Sequence, residues 1–299
     1  MYTFTKNNKD KFIDGVKFGK INFPYKRLYY KNEDILEMMD KLKKVKFTQK
    51  TKRVKLHHPY RIKTLPNSEN ELLFLGNSHL LIHDEKDYLD FNLLSDMFQE
   101  ENRMKCTIVN QKMSPYNYYK NNPSEIADVC IQKYKTINPR NVRETIYHTS
   151  KECTSFKPLN LIYIIDIFKP KSMLDFSAGW GDRLIGAISR KIRYIGVDPN
   201  PLLHPKYKEI INFFCKGSEK NNYTMIKSSI SDAKIPNEKV DLIFTSPPYF
   251  DLETYTNDKN QSIVMFPTES EWLNEFLKPA IEKCLKFLNN EGHIVININ

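Results

Sequence analysis

From residue 171 onward, short apolar runs rich in β-branched residues alternate with segments of helical periodicity, and this alternation restricts the possible folds more than any other feature. Strands separated by helices cannot pair as tight hairpins. Each must return through a crossover, which produces a parallel sheet with helices on its faces. Five strands are expected, at 171–176, 194–197, 225–227, 240–244 and 293–298. Helices are expected between them at 182–190, 205–214 and 270–288, the last bent at Pro279, because a proline ring removes an amide donor and crowds the preceding turn. Upstream, the apolar run 159–168 reads as a helix beside the sheet. Residues 92–104 read as an amphipathic helix entered through an Asp90 or Asn92 cap.

The 299 residues suffice for a full α/β domain and a smaller module. A mixed, mostly helical N-terminal region is therefore expected over 1–150 and a catalytic domain over 151–299. The 46 Lys and Arg outnumber the 36 Asp and Glu, giving a formal charge of +10, which favours a polyanionic partner such as nucleic acid. A chain so rich in Lys, Asn and Ile also acquires this excess from composition alone, so charge does not decide the matter. Residues 25–63 interleave Lys and Arg with Tyr29, Tyr30, Phe47 and Tyr60. Cations on phosphates and rings on bases would make this stretch a nucleic-acid arm, and a solvated leader is the favoured alternative.

Cys106, Cys130, Cys153, Cys215 and Cys284 are widely spaced, without a C-x-x-C pair or a histidine at ligand spacing. Neither a metal site nor a disulfide framework is expected. The adjacent His57 and His58 are ascribed to the exposed basic stretch. The polar start MYTFTKNNKDKF does not read as a secretory signal, and no apolar run reaches membrane-spanning length. The expectation is an intracellular, cytoplasmic protein with no membrane partner.

The strongest local signal is Leu174-Asp175-Phe176-Ser177-Ala178-Gly179-Trp180-Gly181-Asp182, where a strand runs into a G-x-G turn and then a helix. Glycines there let the backbone turn sharply and approach a ligand, and the helix start presents free N–H groups. Asp175, Phe176, Ser177, Gly179 and Gly181 are its candidate binding residues. Trp180 is expected to pack on the following helix, and Asp182 to sit at the helix start because the dipole favours an acid there. Alone, a G-x-G turn is weak evidence. Asp198 strengthens it by ending the next strand about 20 residues later, where a carboxylate can accept from both hydroxyls of a ribose. Pro199 and Asn200 would shape the turn beneath an adenine. In Ser228-Ser229-Ile230-Ser231-Asp232, after the third strand, Ile230 would face the adenine and Asp232 would accept from its amino group, an ordinary polar loop being the alternative.

The decisive element is Asp241-Leu242-Ile243-Phe244-Thr245-Ser246-Pro247-Pro248-Tyr249, a buried strand ending in a stiff diproline corner at the edge where parallel sheets place ligands. The lone pair of an aromatic amine is delocalised into its ring and must be redirected before it can attack a methyl donor. Two fixed acceptors, the Ser246 hydroxyl and the Pro247 carbonyl, could each take one N–H, with Tyr249 stacked on an extruded base and Pro248 stiffening the corner. Asp251 and Glu253 could shape the pocket or hold Arg183, although a solvated loop is the simpler expectation.

At these residues the chain resembles the S-adenosylmethionine-dependent DNA amino-methyltransferases, which make N4-methylcytosine or N6-methyladenine and carry Ser, Asp or Asn before Pro-Pro-Tyr. Here the motif is Ser246-Pro247-Pro248-Tyr249, and serine at its head leans toward cytosine. Asp175, Phe176, Gly179 and Gly181 resemble the family's first motif, and Asp198 its ribose-binding acid. Thr154-Ser155-Phe156-Lys157-Pro158 resembles the segment that closes over the methionine end of the cofactor. The resemblance covers roughly the second half of the chain. It implies a class I, Rossmann-like methyltransferase sheet, S-adenosylmethionine as cofactor and nucleic acid, foremost DNA, as partner. The family's seven-stranded sheet ends in an antiparallel hairpin. With five strands read here, the edge is expected to be incomplete or supplied by the N-terminal half. No target-recognition domain follows the motif, so recognition falls to residues 1–150, to 251–266 or to a partner subunit. Methylation of RNA or of a protein glutamine, and a non-catalytic subunit of the same fold, remain open alternatives.

Overall fold

The computed structural model describes residues 2–46, 51–53, 71–74, 79–82, 91–250, 253–255 and 261–297. Phe47, His57, His58, Tyr60, Asp90 and Asp251 lie outside the described residues. In the N-terminal half α1 (Lys9–Lys17) and α2 (Asn32–Lys44) precede β1 (Thr51–Arg53), β2 (Glu71–Phe74) and β3 (His79–Ile82), which form an antiparallel sheet with β3 in the centre. Then come α3 (Leu93–Arg103), β4 (Thr107–Ile108), α4 (Pro115–Asn121), α5 (Pro123–Tyr134) and α6 (Pro139–Thr149). Proline opens α4, α5 and α6, where its missing N–H costs nothing, and the Ser114 and Asn138 side chains cap the first and last of these.

The C-terminal half runs α7 (Pro158–Phe168), β5 (Ser172–Asp175), α8 (Asp182–Ser189), β6 (Arg193–Asp198), α9 (His204–Phe214), β7 (Tyr223–Lys227) and β8 (Val240–Thr245). It continues with β9 (Glu253–Thr254), α10 (Ser262–Met265), α11 (Glu269–Glu271), α12 (Lys278–Leu285) and β10 (Leu288–Ile296). β10, β8, β5, β6 and β7 lie in that order in one all-parallel sheet, the α/β arrangement expected from the strand–helix alternation. Helix α7 is apolar over most of its surface, and Leu159, Leu161, Ile162, Tyr163, Ile164 and Ile165 are all buried.

Four expectations change. Residues 2–46 are not a solvated leader: Phe12, Phe23 and Tyr25 are buried with Tyr119, Ile126 and Ile146 in a core of the N-terminal half, and Ile35, Met39 and Leu42 join the core around α7 and α8. Helix α3 is not amphipathic in the ordinary sense, because Ser95, Asp96, Gln99, Glu100 and Arg103 are buried along with Leu93 and Leu94. Asn92 precedes it without a side-chain cap bond. The bend before Pro279 is a π-helical turn over Trp272–Leu277, and the following strand begins at Leu288, inside the stretch read as helix. Among the described residues no N-terminal strand joins the parallel sheet. Instead β4 pairs with β9, Thr107 opposite Thr254 and Ile108 opposite Glu253.

Candidate active site

The strands of a parallel sheet end at one rim, so the loops after β5, β6, β7, β8 and β10 converge there. They surround a cavity of about 670 Å³ whose wall includes Phe176, Ser177, Gly179, Asp198, Pro199, Asn200, Ile230, Ser246, Pro247, Pro248 and Tyr249. The glycine turn and the diproline corner thus face one space. Asp175, Gly181 and Asp232 do not reach its wall.

Asp175 lies behind the wall, fully buried. Oδ1 accepts from the Ser177 amide at 3.1 Å and the Thr245 hydroxyl at 3.0 Å, and Oδ2 accepts from Arg183 Nε at 2.6 Å and the Tyr194 hydroxyl at 2.7 Å. A carboxylate has about four acceptor positions. All are taken within the protein, so Asp175 orders the turn instead of contacting a ligand. Burial disfavours the Arg183 charge, but the Asp175 carboxylate outweighs it and holds the guanidinium above its usual value. Arg183 also donates to the Ser177 carbonyl and lies over the rings of Phe156 and Phe244 at 5.4 and 6.0 Å.

Gly179 has φ +59°, and a Cβ built on it would meet nothing closer than the Ser177 carbonyl at 3.8 Å, so the turn opens into the cavity. Gly181, at φ +87°, faces the other way: its Cβ would stand 2.9 Å from Ile210 Cδ1. It is required for packing on α9. The turn is fastened by the Ala178 amide on Val197 O at 3.0 Å and by the Tyr207 hydroxyl on Gly179 O.

Asp198 ends β6 and is buried. Its two oxygens accept one backbone N–H each, from Gly179 and Asn200, both at 2.9 Å. Two acceptor positions remain on a carboxylate at the cavity wall, which is what a pair of ribose hydroxyls needs. Burial raises its pKa to about 6, the two amides pulling in the opposite direction. Asp232 is exposed, its Oδ2 accepting from Ser229 Oγ at 2.8 Å, and Ser229, Ile230 and Ser231 line the cavity in its place. Lys283 steadies this loop through Ser231 O at 2.7 Å and Ala233 O at 2.9 Å.

At the diproline corner the structure adds Asn297, which the sequence reading passed over. Its amide bonds Thr245 O at 2.9 Å, and its Nδ2 donates to Ser246 Oγ at 3.0 Å and Tyr249 Oη at 2.6 Å. A signal for it existed: in a parallel pair that aligns Ile296 with Thr245, the next residues, 297 and 246, share the rim. Burial pushes the Tyr249 hydroxyl above its usual pKa, and the bond with Ser246 opposes this. Phe250, directly after the motif, holds the left-handed value φ +41°.

The segment 154–158 forms another wall. Thr154 donates through N and Oγ1 to Glu253 Oε1, both at 2.8 Å, so Glu253 is a buried clamp, neither a solvated loop residue nor a partner of Arg183. Trp180 is buried in the same core as Leu184, Ile185 and Ile188 of α8, and it also holds the 154–158 segment. Its Nε1 donates to Thr154 O at 3.1 Å and its ring meets Tyr255 edge-on at 6.0 Å. Asp182 has more than a dipole role. Buried at the cavity wall, it accepts from Ser95 Oγ and, at 2.7 Å, from Ser155 Oγ; burial raises its pKa to about 6 against those two bonds.

The five cysteines are buried free thiols. Among the described residues no cluster of three or more His, Cys, Asp or Glu could hold a metal ion, and no helix is long and apolar enough to cross a membrane.

Fold and rim together define a Rossmann-like α/β protein, a parallel sheet with helices on its faces and a cavity at one rim. No family model matches the chain. A curated relative, the type II methyltransferase M.MjaVI of Methanocaldococcus jannaschii, is 35% identical over 80 residues, which cover 26% of this chain and 37% of the relative. The match thus spans little more than a third of that protein. Among solved structures, the chain is similar to the CcbJ methyltransferase of Streptomyces caelestis, at 9% identity and TM-score 0.34 over 46% of each chain. It is also similar to the SAH-bound methyltransferase PaMTH1 of Podospora anserina, at 16% identity and TM-score 0.32, covering 47% of this chain and 51% of that one. A SAM-dependent methyltransferase from Geobacter sulfurreducens in complex with S-adenosyl-L-homocysteine gives 15% identity and TM-score 0.34, covering 48% of this chain and 50% of that one.

Proposed function

We propose that this chain is an S-adenosylmethionine-dependent methyltransferase acting on an exocyclic amino nitrogen of a nucleic-acid base, with DNA as the polymer. The observation that carries this is the shared cavity: a glycine turn with a ribose-type acid on one side, Ser246-Pro247-Pro248-Tyr249 on the other. The limited likeness to a type II methyltransferase supports DNA over other polymers. When bound, S-adenosylmethionine supplies an electrophilic methyl carbon on a sulfonium.

Everything else is done by the chain. Asp198 accepts from the ribose hydroxyls with its two remaining lone pairs, and Phe176, Ser177, Gly179 and Pro199 shape the space around the donor. Ser246 Oγ and the Pro247 carbonyl accept the two N–H bonds of the amine, turning its lone pair out of conjugation and toward the methyl. The consecutive prolines hold both acceptors still, and Asn297 fixes the Ser246 hydroxyl by donating to it. Tyr249 stacks on the base, which leaves its helix to enter so narrow a site. Residues 151–299 carry the chemistry, and residues 1–150 take part in gripping the polymer, alone or with a partner subunit.

The test is transfer of tritiated methyl groups from labelled donor to unmethylated DNA, followed by nucleoside chromatography. N4-methylcytosine or N6-methyladenine is the expected product, with N4-methylcytosine favoured by the serine. Label found only in RNA or in protein glutamine overturns the choice of polymer. Tight donor binding without transfer to any of them points to a non-catalytic subunit.

A further inference from the structure

The two polar rows of α3 pack against different parts of the molecule. One row, Ser95, Gln99 and Asn102, faces the cavity loops. Ser95 Oγ donates to Asp182 Oδ1 at the start of α8, Gln99 Nε2 to Leu203 O at 3.2 Å, and Asn102 Nδ2 to Leu202 O at 3.2 Å. Asn102 also bonds Gln99 Oε1 at 2.9 Å, tying the row together. Asp182 and Leu203 both belong to the cavity wall. The other row, Asp96, Glu100 and Arg103, holds the N-terminal region. Lys26 Nζ meets Asp96 at 2.5 Å and its amide meets Glu100 at 2.6 Å, while Arg143 pairs with Glu100 at 2.8 Å. Arg103 pairs with Asp96 and Glu152 and donates to Cys153 O at 3.1 Å, directly before the 154–158 wall.

We propose that α3 is a positioning strut of the donor site, so that donor affinity depends on residues well outside the 151–299 region. This deepens the proposed function and rests on its donor half. Asp198 with the turn 199–203 and the glycine turn leading into Asp182 are neighbouring parts of the cavity wall, and the Gly179 amide on Asp198 Oδ2 at 2.9 Å joins them. Near Asp198 the Ala178 amide on Val197 O and the Tyr207 hydroxyl on Gly179 O also tie them, whereas Asp182 and Leu203 lie farther along each segment. Ser95 and Gln99, one helical turn apart, bond Asp182 and Leu203 at once and brace the two segments there. A purely apolar helix would bury equally well, since buried polar side chains carry a desolvation cost. A row of polar bonds adds fixed direction, which apolar packing lacks.

The experiment is titration calorimetry of the full chain with S-adenosylhomocysteine, alongside steady-state kinetics and thermal unfolding. Gln99→Ala with Asn102→Ala is expected to weaken binding about tenfold or more and to raise the donor KM in step. The saturated rate and the KM for DNA are expected to stay within about twofold. Ser95→Ala behaves likewise, and Ser95→Thr, which keeps the hydroxyl, restores binding to within about threefold. Asn102→Ala alone, at a half-buried position, covers the case in which Ser95→Ala does not fold. Folded variants that bind within about twofold of the parent, whatever their melting temperature, overturn the strut. A parent chain that binds no S-adenosylhomocysteine overturns the donor reading itself, a different and separately visible result.

Discussion

Replacing Asp198 by alanine should abolish most donor affinity while changing stability little. The carboxylate has two acceptor positions left for ribose hydroxyls, and hydrogen bonds to a charged acceptor contribute about 1.5–3 kcal/mol each. Their loss costs about 3–6 kcal/mol, or roughly two to four orders of magnitude in dissociation constant. On the stability side two effects oppose each other. Alanine strands the Gly179 and Asn200 amides, at about 1–3 kcal/mol each if water does not reach them. It also removes a carboxylate whose pKa burial has raised to about 6, a displacement of about 3 kcal/mol in the ionised protein. The two effects largely offset, and the net change in unfolding free energy is expected within about 3 kcal/mol of zero.

The pH dependence separates the two roles of Asp198. Because the folded pKa lies above the unfolded one, the stability contributed by this group is complete below the unfolded value and lost as pH rises through about 6. Donor binding has the opposite sign. Only the ionised form accepts from both hydroxyls, so affinity should fall about tenfold per pH unit below about 6. Asp182, also raised to about 6, titrates in the same range, so the comparison is with Asp198→Ala, which removes the Asp198 share alone. Calorimetry with S-adenosylhomocysteine and urea unfolding between pH 5 and 8 read both quantities. An alanine variant that still binds within about tenfold of the parent would refute the ribose assignment.

Three further outcomes follow from the same geometry. Gly181→Ala should destabilise by about 2–4 kcal/mol, from the left-handed φ of +87° and the contact with Ile210, whereas Gly179→Ala, opening into the cavity, should cost about 1 kcal/mol in urea yet weaken the donor strongly. Asn297→Ala should lower kcat about tenfold or more and leave the donor KM unchanged, since Asn297 touches only the acceptor corner; an altered donor KM with normal kcat contradicts this. Arg183→Ala leaves Asp175 buried without its counter-charge and should cost about 3–5 kcal/mol by chemical denaturation, and a loss below about 1 kcal/mol contradicts the account of that pair.

The strands around the site were legible because they are continuous apolar runs with sharp boundaries: β5, β6 and β8 end at Asp175, Asp198 and Thr245, within a residue or two of where the runs stop. The residues that the fold turns on itself were not. Asp175 looks like a ligand in a motif read along the chain, and its four partners come from residues up to 70 positions away. Helix α3 has polar residues at spacings that suggest a solvated face, and only Lys26, Arg143, Asp182 and Leu203, all remote in sequence, turn that face inward. The N-terminal aromatics look like a leader because they lack a period, yet Phe12, Phe23 and Tyr25 pack irregularly around Tyr119. Asn297 needed the register of β10 against β8 before its place became visible.

Whether donor and acceptor meet in one cavity is decided by a crystal structure of the full chain with S-adenosylhomocysteine and a short single-stranded oligonucleotide. The ribose is expected on Asp198, an amino group bonded to Ser246 Oγ and the Pro247 carbonyl, and about 3–3.5 Å between that nitrogen and the position of the missing methyl. An adenosine lying against Pro247, or a base bound away from Tyr249, would contradict this arrangement.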